Sequence, residues 1–169
     1  MQLIVPHEIA RQLIDALGQA GKREIGGILM GEHVGPDTFR VKELTIQRKG
    51  GTFARFIRMV EEIIVPLRAF FDITKHDYTR FNYLGEWHSH HSFALTPSKR
   101  DHETMYDIVT DQQLGAHFVI LLLIRLDGNG QLEGSVTAYQ PNKAPYACSV
   151  IQESMLDSNN RISKLDVRA

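Results

Sequence analysis

The sequence predicts an α/β fold organised as a single domain, a mixed sheet flanked by helices. Three observations lead there. Helix-period and strand-like segments alternate along the chain, Ala116 to Ile124 forms a continuous apolar run suited to a strand covered on both faces, and no repeat or low-complexity linker divides residues 1 to 139. With 169 residues and 43% hydrophobic content, the chain has the apolar stock for one core and is cramped for two.

The elements follow in order. Leu3-Ile4-Val5 reads as a short edge strand, and Pro6 opens a helix whose Ile9, Leu13, Ala16 and Leu17 share one face before Gly18. Glu24 to Met30, closed by Gly31, is apolar and strand-like, and Phe39 to Ile46 alternates apolar and polar residues, so the two are expected to form a hairpin. Val60, Ile63, Ile64, Leu67 and Phe71 recur at helical spacing between Arg58 and Asp72, with a kink expected at Pro66. Tyr83 to His88 reads as a strand entering a polar loop, Ser98 to Leu114 as a third helix, and Ala116 to Ile124 as the central strand. After the Asn129-Gly130 turn, Leu132 to Tyr139 supplies another strand. The domain is expected to occupy residues 1–140, leaving 141–169 as a C-terminal extension with a helical or loose end.

Composition narrows the function. Nineteen Lys and Arg against twenty Asp and Glu give a net charge of -1, so no global positive field is available for nucleic acid. The single cysteine, Cys148, makes no internal disulfide and no thiolate zinc site, and it reads as a small buried hydrophobe rather than a nucleophile. The longest apolar run, Phe118 to Ile124, is too short to cross a bilayer, and the start of the chain has no basic leader, so a cytoplasmic location is expected.

Chemistry concentrates after the Tyr83 strand. Side chains two apart on a strand point the same way, so the imidazoles of His88 and His90 converge while Ser89 turns aside. Asp101 follows in the first turn of a helix opened by Ser98. Two imidazoles and one carboxylate suit zinc and leave a fourth position for water, the pattern of a catalytic rather than a structural site. Such a site also requires a base that is not a ligand. Glu24, among the small residues Gly26, Gly27 and Gly31, is the candidate, and Glu86 is its rival or else a partner that orients an imidazole. Ser98-Lys99-Arg100-Asp101 reads equally, by itself, as a capping box with no metal involved.

Glu24, His88-Ser89-His90, seven further residues and then Ser98-Lys99-Arg100-Asp101 resemble the motif of the JAMM metalloproteases, the catalytically competent Jab/MPN domains that remove ubiquitin or ubiquitin-like proteins from their targets. The stretch Glu24 to Gly31 is also similar to that family's first motif strand. The resemblance implies a Jab/MPN, cytidine-deaminase-like architecture and one zinc ion held by His88, His90 and Asp101. It further implies that Glu24 serves as general acid/base, that Ser98 helps hold the oxyanion, and that the substrate is a ubiquitin-like protein or its conjugates. The short chain looks most like single-domain prokaryotic Jab proteins, some of which accompany conjugating enzymes or anti-phage defence genes. His91 stands where many members carry proline, and no cysteine-rich insertion for reading chain linkage is recognisable.

Other readings bound this one. His91 is expected to be a solvated loop residue, Trp87 a packing residue, and the run Arg48, Lys49, Arg55 and Arg58 a solvated charge cluster. His7-Glu8-Ile9-Ala10-Arg11 ends in arginine where a zincin needs histidine, and no Pro-Cys-x-x-Cys follows the histidine loop as in a zinc deaminase. A non-hydrolytic Jab/MPN scaffold and a small-peptide or cysteine-conjugate hydrolase are the alternative functions.

Overall fold

The structure, a computed structural model, describes residues 1–47, 60–91 and 94–153. In chain order these contain β1 (Gln2–Val5), α1 (His7–Ala20), β2 (Gly26–Gly35), β3 (Thr38–Leu44), α2 (Val60–Ile73), β4 (Phe81–Ser89), α3 (Lys99–Thr110), β5 (Val119–Leu126), β6 (Leu132–Tyr139) and β7 (Tyr146–Gln152). The expected alternation of strands and helices is present, and β2 and β3 form the expected antiparallel hairpin. The sheet, however, closes on itself in the order β1-β3-β2-β4-β5-β6-β7, with β7 returning to β1. Pairing is parallel at β1–β3, β1–β7 and β4–β5 and antiparallel elsewhere, so the sheet is mixed.

Closure corrects one expectation. β1 is not an edge strand, because β3 lies on one side of it and β7 on the other. Its side chains announce one buried face, through Leu3 and Val5, but backbone pairing leaves no trace in that alternation. Residues 141–169, read from the sequence as an extension, contain in β7 a strand of the closed sheet; residues 154–169 and the cluster Arg48, Lys49, Arg55 and Arg58 lie outside the described residues.

Two apolar layers hold the sheet. On one face, Leu29, Val41, Leu84, Trp87, Ile120, Leu122 and Val136 pack with Ile9, Leu13, Ala16 and Leu17 of α1. On the other, Val119, Leu121, Leu123 and Tyr139 meet Met105 and Val109 of α3, while Ile28 and Met30 meet Phe70 of α2. β5 is therefore buried on both sides, as its unbroken apolar run requires. Among the described residues no helix is long and apolar enough to cross a membrane.

One irregularity aims the site. Leu29 pairs with Gly85 and Met30 with Tyr83, so Leu84 is an extra residue in β4, a β-bulge. The insertion reverses the alternation. Leu84 joins the α1 layer and Tyr83 the opposite one, while Glu86 and His88 emerge on the face away from Trp87. Gly85 sits in the bulge with φ +144, and an added Cβ would lie 2.0 Å from the carbonyl oxygen of Ile120. Gly85→Ala is accordingly expected to cost about 3 kcal/mol or more, from backbone strain and overpacking together. A thermal melt should show a midpoint about 10 °C lower. An unchanged midpoint would show that the two strands accommodate a side chain there.

Candidate metal centre

The three metal-binding candidates come together at the end of β4. One potential ligand atom from each of His88, His90 and Asp101 lies within 4.8 Å of the other two. His88 is the penultimate residue of β4, and His90 is tied to the neighbouring strand by its N–H, which donates to the carbonyl of Ile124 at 2.9 Å. Asp101 arrives from α3, whose Met105 and Val109 seat the helix on the sheet. All three side chains are buried or nearly so.

The donor atoms are oriented for a shared cation. His90 Nδ1 lies 2.7 Å from the carbonyl oxygen of Ala94. A carbonyl can only accept, so Nδ1 carries the proton and Nε2 presents its lone pair. His90 Nε2 is 3.0 Å from His88 Nε2, which is in turn 3.6 Å from Asp101 Oδ1. Tetrahedral zinc, with metal–nitrogen bonds of about 2.0–2.1 Å, separates its ligands by about 3.3 Å, a value these two distances bracket. Burial lowers the pKa of His88 to about 4 against the opposing pull of Asp101, so its ring is neutral, the form in which imidazole ligates. The residues fit a zinc ion.

The alternative reading of Asp101 as a helix cap is also present, and the two are compatible. Ser98 Oγ accepts the N–H of Asp101 at 3.2 Å, and the Ser98 N–H donates to Asp101 Oδ2 at 2.7 Å, a complete capping box. The cap occupies Oδ2 and leaves Oδ1 toward His88. Ser98 Oγ acts there as an acceptor, so its own proton stays available, and the residue is exposed.

Glu24 stands one step before β2. Gly26 pairs with His88, and Ile25 is fixed to Ser89 by two bonds, Ser89 N–H to the Ile25 carbonyl at 2.8 Å and Ile25 N–H to Ser89 Oγ at 3.0 Å. Glu24 and His90 lie just beyond this pairing, each two residues from the Gly26–His88 pair and outside its strand. The two strands are close here, since a Cβ added to Gly26 would lie 3.0 Å from the Cβ of His88. Glu24 itself is exposed and outside the ligand group. His91 is exposed, and Trp87 is a core residue whose Nε1–H donates to the Thr45 carbonyl at 2.9 Å.

Two contributors escaped the sequence reading, and a third, Glu86, was expected there as a rival base or a partner that orients an imidazole. Ser89, which turns away from the ligands, anchors the backbone that carries Glu24. The Tyr139 hydroxyl meets His102 Nδ1 at 2.9 Å and stacks edge-on against Tyr106, fixing to β6 the helical turn that holds Asp101. Glu86 lies fully inside, 2% exposed, and burial, reinforced by the charge of Asp101, raises its pKa to about 8. A polar residue at a core position of a strand is the one signal that could have marked Ser89 in advance.

Comparison with known proteins supports the fold and names the family. Among curated proteins none matches the chain. A solved structure that resembles it is the solution structure of protein DSY2949 from Desulfitobacterium hafniense, with a TM-score of 0.57 at 14% identity, covering 95% of this chain and 99% of that one. At that identity the likeness concerns the fold alone. The sequence model for prokaryotic homologs of the JAB domain matches residues 6–131, a span that includes Glu24, His88, His90, Ser98 and Asp101. Matched over well more than half its length, the chain belongs to the family of prokaryotic JAB-domain homologs.

Proposed function

We propose that this chain is a zinc-dependent isopeptidase or peptidase that cleaves after the C-terminal glycine of a ubiquitin-like protein. The observation that carries the proposal is the convergence of His88, His90 and Asp101 donors in a JAB-domain chain, with Glu24 two residues before the Gly26 that pairs with His88. A zinc ion in that set supplies a water whose pKa falls to about 7 and a Lewis acid for the scissile carbonyl. Glu24 takes the proton as the carbonyl carbon is attacked and returns it to the leaving amine, the duty of a carboxylate that does not ligate. The Ser98 hydroxyl, whose oxygen is already occupied by the helix cap, directs its hydrogen to the oxygen that gains negative charge.

The shape of the sheet favours an extended substrate. β1 pairs with β3 only at Thr38 to Arg40, so among the described residues Val41 to Leu44 have a strand neighbour, β2, on one side. Gln47 bridges to Gly26, which pairs with His88, so this edge runs toward the metal centre. An extended C-terminal tail ending in glycine suits such an edge, because backbone pairing demands little of its side chains. A ubiquitin-like conjugation system, in a defence or modifier operon, is the setting in which such a substrate and its conjugating enzymes occur.

The test joins metal and activity. Purified protein should carry one zinc per chain by elemental analysis, cleave a fusion placed after the terminal glycine of a ubiquitin-like protein, lose that activity to a chelator and regain it with added zinc. Stoichiometric zinc with no turnover on any ubiquitin-like fusion or isopeptide conjugate would overturn the substrate assignment, and no zinc would overturn the chemistry.

A further inference from the structure

Glu86 poses a physical problem that the proposed reaction leaves unsolved. It lies on β4 two residues before His88, paired with Ile28 of β2 on one side and with Leu121 of β5 on the other. Both neighbours are fully buried and belong to the apolar layers under α2 and α3. The carboxyl is enclosed with them. Its Oε2 is buried and has no hydrogen-bond partner among the described residues, and no ion pair among them reaches it. Asp101, a charge of the same sign, also acts on it.

A buried acid without a donor, set beside a second acid, is unfavourable for the protein by itself. The arrangement becomes favourable once a cation arrives. A divalent ion held by two neutral imidazoles and one carboxylate brings an unbalanced positive charge into the interior. Glu24 is exposed, so water screens its contribution, whereas Glu86 is on the ligand face and within the dry layer. We infer that Glu86 is a positioning residue for the metal, the enclosed carboxylate that stands behind His88 on the same strand and makes the His88, His90 and Asp101 set retain a dication. The inference rests on the metal reading of the centre and adds to it a residue outside the ligand set, whose influence is on retention of the ion rather than on the bond that breaks.

Metal binding and stability without metal separate this role from ordinary packing. Glu86→Gln keeps the shape and removes the charge. Stripped of metal, the full-length variant should melt close to the wild-type temperature, since Oε2 has no hydrogen bond to lose. Its zinc affinity, measured by competition with a chelator, should fall about 10- to 100-fold. The visible spectrum of its cobalt form should keep the wild-type band positions, because His88, His90 and Asp101 are unchanged. Glu86→Asp, which keeps the charge, should bind zinc several-fold more tightly than Glu86→Gln. Wild-type zinc affinity in Glu86→Gln would overturn the inference while leaving the metal reading intact. So would a metal-free Glu86→Gln chain that fails to fold or melts well below wild type, because the acid would then be serving the fold. A wild-type chain that takes up no metal brings down both readings together.

Discussion

Glu24→Gln is expected to retain its zinc and lose turnover by about 10²- to 10⁴-fold, the range typical of removing a positioned general acid/base. Glutamine matches glutamate in size and still offers a carbonyl oxygen, but it does not accept a proton near neutral pH. The backbone at Glu24 is held by the Ile25–Ser89 pair and not by the side chain, so the substitution leaves the start of β2 in place. His88, His90 and Asp101 form the ligand group without it, which is why the metal should stay. Steady-state cleavage of a ubiquitin-like fusion, read alongside elemental zinc on the same preparation, checks both halves. Wild-type turnover in the variant would remove Glu24 from the reaction.

Asp101→Ala should empty the centre and weaken α3 in one step, because the two oxygens of this carboxylate serve different masters. Oδ1 faces His88 Nε2 at 3.6 Å, and Oδ2 accepts the Ser98 N–H at 2.7 Å. With one of three donors gone, zinc affinity should fall by more than the about 10- to 100-fold that losing an outer-shell partner costs. The helix should lose about 1 kcal/mol with its cap. Ser98→Ala separates the two effects, since it sacrifices a cap of about the same worth while both imidazoles and the aspartate remain. Chelator competition and thermal melts on the two variants make the comparison. Stoichiometric zinc in Asp101→Ala would exclude the aspartate from the ligand set.

The candidate site was more legible in the sequence than the sheet that carries it. His88 and His90 share a face because strand geometry repeats every two residues, and Asp101 begins a helix whose cap is written locally in Ser98. Each of these is decided by neighbours along the chain. Closure of the sheet is not, since the pairing of Leu3 with Val150 depends on residues far apart in sequence. The bulge at Leu84 was hidden for the same reason. An extra residue is defined only against its partner strand, and without it the alternation from Tyr83 would have turned Glu86 and His88 to the wrong face. The tyrosine hydroxyl and histidine at 139 and 102 were equally opaque, because their meeting awaits the docking of α3 on β6.

The ring also dictates when a newly made copy becomes safe. Its first strand, residues 2–5, is joined to residues 149–152, so a growing chain synthesised at about 5–20 residues per second must wait roughly seven to thirty seconds for the partner that seals it. During that interval the histidines and the aspartate have already left the ribosome, yet the sides of β1 and β6 that β7 will cover stand open to any passing strand. The seam between first and last strands is thus the final step of assembly, and the place where an unfinished copy is most exposed to pairing with another.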